Sequence, residues 1–189
     1  LWKKDEEFGY PSPWGKGRPG WHIECSAMSR KHLGKTIDIH AGGADLIFPH
    51  HENEIAQSEC ANGCKFVNYW LHNGFVTINK EKMSKSLKNF VSIDALLNNY
   101  DANTIRLFIL TNHYRMPVEF SDVALDGAKS GWKRIQTAVN EVVRFVDSKE
   151  LPDVSDSDEI NSFKEAMDND LNTSKALAVI FDSATKANK

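Results

Sequence analysis

The sequence predicts an α/β chain in which a unit of a doubly wound parallel sheet is followed by a helical bundle. Two short apolar, β-branched or aromatic stretches, residues 36–40 and 66–71, flank a helical pattern, which is the order of a strand, crossover helix and parallel strand. Much later, Leu125, Ala128, Trp132, Ile135, Val139, Val142 and Val146 step by 3, 4, 3, 4, 3 and 4. That spacing lays one apolar stripe along a helix of about seven turns.

Taken in order, residues 4–20 hold Pro11, Pro13, Gly15, Gly17, Pro19 and Gly20 among charges and read as a loop. Trp21, Cys25, Met28 and His32 then recur at helical spacing, and Gly34 is placed to end a helix over Trp21–Leu33. Residues 36–40 are expected to form a strand, with Ala41-Gly42-Gly43 as a tight turn. Pro49 suits the first position of a helix, where its missing N–H has no partner to lose, so residues 50–60 read as helix. After a strand over 66–71 come His72-Asn73-Gly74, a further strand from Phe75 to Ile78, a turn at Asn79-Lys80, and a loop with four lysines against one glutamate in residues 80–88. Helices follow: 92–99 capped by Ser92, 102–112 with Ile105, Phe108 and Ile109 facing inward, and the long stripe from the N-cap candidate Ser121. Residues 147–158 form an acidic, Pro152-containing connection, and 158–168 and 173–187 carry two more amphipathic helices.

With 189 residues and 41% hydrophobic composition the chain has material for one substantial core or two small ones. No apolar run approaches the roughly 20 residues that span a bilayer, and a signal peptide is not expected from these residues. Three cysteines make an odd set for a secreted disulfide framework, so reduced thiols in a cytoplasm are expected. A net charge of -3 gives no global pull toward nucleic acid. Nine acids against two lysines between residues 147 and 170 make that segment a solvated face, not a phosphate-docking one. The chain opens on Leu1 and closes inside a helical pattern, so it reads as a piece of a longer protein.

Chemistry converges on the stretch from Asp45 to Glu54. On a helix His50 and Glu54 lie about 40° apart around the axis, an imidazole and a carboxylate on one face. Such a pair is a two-ligand claw for zinc, or simply a solvated polar first turn. The helix N-terminus favours the neutral, metal-binding imidazole. His51-Glu52-Asn53-Glu54-Ile55 begins like H-E-x-x-H, but Ile55 stands where the second histidine must be, which excludes that protease motif. A zinc site needs three or four groups, preferably with a thiolate. Cys25, Cys60 and Cys64 are available, and each can equally be a small apolar residue. His40, Gly43 and Asp45 fall at the carboxyl end of the first strand, where doubly wound folds bind ligands. The lysine-rich loop reads either as solvated surface or as a cationic clamp for phosphates.

Three stretches carry a resemblance: Ser12-Pro13-Trp14-Gly15-Lys16-Gly17-Arg18-Pro19-Gly20-Trp21-His22-Ile23-Glu24-Cys25-Ser26, then Asp38-Ile39-His40-Ala41-Gly42-Gly43-Ala44-Asp45 running on to Phe48-Pro49-His50-His51-Glu52-Asn53-Glu54, then Lys82-Met83-Ser84-Lys85-Ser86. In this order and spacing the chain resembles the cysteinyl-tRNA synthetase family, class I aminoacyl-tRNA synthetases, over essentially its whole length. The resemblance implies the second half of a Rossmann-like catalytic domain with the zinc site and lysine-serine loop over residues 1–90, a helical connection over 91–120, and the start of a tRNA-binding bundle over 121–189. It implies one zinc bound by Cys25, His50 and Glu54 with a fourth ligand, a cysteine from an earlier half of the protein. Trp21 and His40 resemble the side chains lining the family's cysteine pocket. Gly43 and Asp45 match an element beside the ATP ribose, and Lys82 and Lys85 match the catalytic loop that steadies the triphosphate. Cys60 and Cys64 match no metal position.

The implied activity is that of a cysteine–tRNA ligase: ATP with Mg2+ activates cysteine to the adenylate, which is transferred to tRNA(Cys) by a cytoplasmic monomer. The sequence departs from the family in two places. No His-x-Gly-His pattern occurs among its seven histidines, which implies half an active site and an inactive piece in isolation, and Lys88 stands where the family commonly has glycine. Cysteine differs from serine by one atom, which an apolar pocket separates poorly, whereas zinc prefers a thiolate. Two other readings remain: a cysteine ligase with an amino-sugar acceptor, and a non-catalytic zinc- or RNA-binding fragment.

Overall fold

A computed structural model describes every residue except 1, 6, 85–88, 147–155 and 188–189. Lys85, Lys88 and most of the acidic connection expected at 147–158 therefore lie outside the described residues. The chain divides into two compact units, Leu1–Asn73 and Gly74–Lys189.

In the first unit the expected loop contains a small hairpin: β1 (Lys3–Lys4) pairs antiparallel with β2 (Gly17–Arg18). Asp5 fastens it by accepting the amide of Phe8 at 2.9 Å and meeting Arg18 Nε at 3.2 Å. Helix α1 spans Trp21–Leu33 as the periodicity indicates, and Gly34 beyond it adopts φ 100°. Strand β3 is Ile37–Gly43 and pairs in parallel with β4 (Val67–Asn73), from Ile37 opposite Val67 to Gly43 opposite Asn73. This corrects the tight turn expected at Ala41-Gly42-Gly43. Those small residues continue the strand because β4 offers them a full ladder, and the reversal falls to a single turn, Ala44–Leu46. Gly42 has its own reason: a Cβ there would lie 2.7 Å from the His51 ring and 3.0 Å from Leu46. The chain then passes through a wide turn, Ile47–His51, broken at the extended Phe48 (φ -131°, ψ 133°), into α2 (Glu52–Asn62). Gly63 at φ 66° closes α2 and its amide bonds to the Glu59 carbonyl at 2.8 Å. Ile37, Phe66 and Val67 form the core of this unit, with Ile55 and Trp70 against them.

The second unit opens with β5 (Val76–Ile78), which lies between β6 (Glu81–Lys82) and β7 (Val118–Glu119), antiparallel to the first and parallel to the second. Helix α3 (Ile93–Leu97) is capped by Ser92, as expected, and α4 (Ala102–Leu110) by Asp101. The inward face of α4 differs from the expected Ile105, Phe108 and Ile109: Phe108 is buried, Ile109 is 45% exposed, and Thr104 and Leu107 take the interior. Burying Thr104 costs little because its hydroxyl bonds the Asp101 carboxylate at 2.6 Å. Helix α5 is Asp122–Val146, with Leu125 and Ala128 buried. Further along, Ala138 turns inward while Val139 and Val142 are 55% and 45% exposed. A stripe averaging 3.5 residues per turn drifts about 20° per heptad on a 3.6-residue helix, and three heptads move it off the core. Helices α6 (Asp158–Asp168) and α7 (Thr173–Ala187) fall where the sequence puts them.

The turn between α6 and α7 is tied down by Asp170, which sits at φ 57°. Its carboxylate receives Arg115 Nε at 2.5 Å and the Tyr114 hydroxyl at 2.7 Å. The guanidinium and then the phenol hold this carboxyl down at about 2. A depressed carboxyl stabilises above its unfolded value near 3.8 and loses that contribution as pH falls through the folded value. Asp170→Asn should therefore melt a few degrees below the parent at pH 7, with the gap closing between pH 4 and 2. A constant gap across that range, read by calorimetry, would count against the ion pair.

Candidate metal centre and substrate cleft

Three elements of the first unit bring the sequence-predicted ligands together. The kink at Phe48 and the helical turn after it place His50 and Glu54 on one face, with His50 Nε2 2.6 Å from Glu54 Oε1. From the middle of α1, Cys25 brings its sulfur so that the ligand atoms of Cys25, His50 and Glu54 all lie within 4.8 Å of one another. Glu54 is fully buried, and neither carboxylate oxygen receives a well-formed hydrogen bond; what faces them are ring nitrogens, His50 Nε2 at 2.6 Å from Oε1 and His40 Nε2 at 3.6 Å from Oε2. A buried carboxylate without well-formed hydrogen bonds is costly unless a cation sits beside it. In the absence of one, burial pushes the Glu54 carboxyl up to about 7. Burial, then the Glu54 charge, raises the Cys25 thiol, and burial, then His22 and His40, lowers His50. A neutral imidazole, a thiol and an orphaned carboxylate around one point fit a divalent soft-to-borderline ion such as zinc.

The surrounding rings support the same point. His22 Nδ1 lies 2.7 Å from His50 Nδ1, which fixes the ring and leaves Nε2 for a metal. Trp21 lies over His50 with ring centroids 3.9 Å apart. His40, at the register position opposite Trp70, reaches to 3.6 Å from Glu54 Oε2. His51 Nδ1 meets His72 Nε2 at 2.7 Å, and burial with three neighbouring imidazoles holds His51 down at about 4. His40, His51 and Glu54 form a second close trio around the same carboxylate.

Sequence reasoning missed His22, His51 and His72 as members of the site. A signal existed for His72: it stands two residues after Trp70 in β4, on the same sheet face, and His40 is paired with Trp70. His51 carried none, because the residue next to His50 points elsewhere on an ideal helix and only the kinked turn brings it back.

Trp21, Asp45, Pro49 and His50 line a cleft of about 550 Å³ together with Lys3, which the sequence did not single out. Gly43 ends β3 immediately before the turn that carries Asp45, and a side chain there would collide with the Asp45 carboxylate. Lys82 is on β6 in the second unit, its ammonium 4.3 Å from the centre of the Phe75 ring.

Residues 1–130 match the family model described as tRNA synthetases class I (C) catalytic domain, and residues 162–189 match a DALR domain. Among curated relatives, the cysteine–tRNA ligase of Pelobacter propionicus is 52% identical and that of Halalkalibacterium halodurans 54%, each over the whole chain. In both cases this chain spans 42% of the relative's length. The solved LeuRS of Agrobacterium radiobacter K84, in a ternary complex with tRNA and LeuAMS, superposes on 99% of this chain and 29% of its own with a TM-score of 0.64 and 14% identity, a likeness of fold. With the catalytic-domain match running over residues 1–130 of 189, the chain belongs to the class I (C) tRNA synthetase family.

Proposed function

We propose that the chain is the metal-bearing half of a cysteine–tRNA ligase, which activates cysteine with ATP and Mg2+ and charges tRNA(Cys) in the cytoplasm as a monomer. The observation that carries this reading is the convergence of Cys25 and His50 on the buried Glu54 carboxylate, whose oxygens face imidazole nitrogens and receive no well-formed hydrogen bond. Those three residues would hold zinc, completed by a cysteine from outside the chain. Zinc held there supplies a soft Lewis acid that takes a thiolate in preference to a hydroxyl. The protein's own residues do the rest: His22 orients His50, Trp21 walls the cleft, His40 contacts the substrate from beside Glu54, and Gly43 leaves room for the Asp45 carboxylate to face a ribose.

The chemical step is attack of the cysteine carboxylate on the α-phosphorus with release of pyrophosphate, and it calls for positioning and charge stabilisation without a protein nucleophile. Lys82, at the end of β6, and Lys85, in the loop after it, supply that charge. In this reading residues 1–90 complete the catalytic domain, 91–120 connect it, and 121–189 begin the tRNA-binding bundle. The amino-sugar ligase and the non-catalytic fragment are less well supported, since the relatives are named as tRNA ligases and the C-terminal segment matches a DALR domain.

The test is cysteine-dependent pyrophosphate exchange by the complete protein, followed by charging of tRNA(Cys). Lys85→Ala should slow exchange while leaving zinc content and cysteine affinity nearly intact, because its contact is made in the transition state. Loss of one such charge-assisted contact is worth roughly 2 to 4 kcal/mol of barrier, by analogy with an oxyanion donor. An unchanged exchange rate would remove Lys85 from the mechanism, and charging of an amino sugar in place of tRNA would replace the acceptor.

A further inference from the structure

We propose that Glu119 is a positioning residue for the lysine-bearing loop, bracing from β7 the hairpin that delivers Lys82 and the residues after it. The inference rests on the reading of that loop as the triphosphate clamp. The hairpin of β5 and β6 turns through Asn79 and Lys80, at φ 53° and 66°. Two consecutive left-handed residues suit the twist of a two-residue hairpin turn, but lysine is disfavoured in that region. Something must hold it there.

That group comes from 39 residues away. The Lys80 amide donates to both Glu119 oxygens, at 3.2 and 3.3 Å, and the Thr77 hydroxyl donates to Oε2. Phe120 donates its amide to the Thr77 carbonyl at 2.7 Å, so the strand entering the turn is tied to β7 through its backbone and the turn itself through the Glu119 carboxylate. These bonds hold the Glu119 carboxyl below the usual range, the Thr77 hydroxyl first, so it stays an acceptor-only carboxylate at neutral pH. Downstream, Asn89 closes the base of the loop: its Oδ1 accepts the Ser84 amide at 2.8 Å and its Nδ2 donates to the Lys82 carbonyl at 3.2 Å. Glu119 thus fixes the entry to the segment whose other end Asn89 fixes. A carboxylate among lysines would ordinarily weaken binding of a polyanion; its retained hydrogen bonds to the turn point to alignment, not charge.

The two contributions separate in pyrophosphate exchange by the complete ligase. Glu119→Ala should lower kcat at saturating ATP by about 10-fold, since a misplacement of about 1 Å costs up to ~100-fold. Glu119→Gln keeps an acceptor oxygen and should retain kcat within about 3-fold, with KM for ATP unchanged or lower because a negative charge has gone. Melting temperatures of both variants, taken above the assay temperature, establish that each is folded. A Glu119→Ala variant that melts lower but keeps kcat would overturn the proposal as merely structural. Equal losses in the Ala and Gln variants would overturn it in favour of charge. Lys85→Ala serves as the reference: slow Lys85→Ala with normal Glu119→Ala removes the brace and leaves the loop reading standing, whereas normal Lys85→Ala removes the loop reading itself.

Discussion

Cys25→Ser in the complete protein should leave it without stoichiometric zinc, because it removes one of the two thiolates of the proposed set and leaves one imidazole, one carboxylate and the thiolate supplied from outside this chain. Even outer partners of metal ligands are worth roughly 10- to 100-fold in affinity, and a direct ligand should exceed that. Elemental analysis of the purified variant reads the result; one zinc per chain would refute the assignment. The same centre carries a pH signature. Glu54 at about 7 and Cys25 above its ordinary 9 both hold protons in the metal-free state at pH 6, and both must release them on binding. His50, shifted downward, is already neutral. Affinity should therefore rise with pH, and the slope of log Kd should ease by about one proton per ion as pH passes 7. Glu54→Gln should abolish that break.

The sequence carried a good deal of this arrangement, and the reasons for the gaps are physical. Helices α1, α6 and α7 were legible to the residue, α1 from its periodicity and the closing Gly34, α6 and α7 from their amphipathic pattern. The claw was legible because residues four positions apart share a face of a helix. The length of β3 was not, since two glycines read as a turn unless the partner strand is known, and the pairing of Gly42 with His72 is a tertiary fact. The inner face of α4 depended on a single hydrogen bond that makes Thr104 acceptable inside. Around the metal point, the convergence of His22, His51 and His72 is set by a kink and a strand register that local patterns do not encode. The roles of Lys82, Lys85, Gly43 and Asp45 came from resemblance, not from spacing.

The second large effect concerns how serine is refused. If a metal-bound thiolate makes the distinction, Glu54→Gln should damage cysteine activation and the cysteine-to-serine ratio of kcat/KM together. The substitution removes a charged ligand and leaves a buried amide in its place. If instead Trp21 and the pocket walls refuse serine by shape, the variant should be slower with the ratio intact. The two outcomes are separable because a one-atom difference in shape is worth only ~1 to 3 kcal/mol in a pocket, about 10- to 200-fold. A ratio that collapses toward that shape-only level supports the metal.

The central claim, that a metal held by Cys25, His50 and Glu54 reads the substrate sulfur, is tested most directly on the cobalt-substituted enzyme. Adding cysteine should bring a new sulfur-to-metal charge-transfer band in the near ultraviolet, and adding serine at saturating concentration should leave that region unchanged. Identical spectra with the two amino acids would contradict the account.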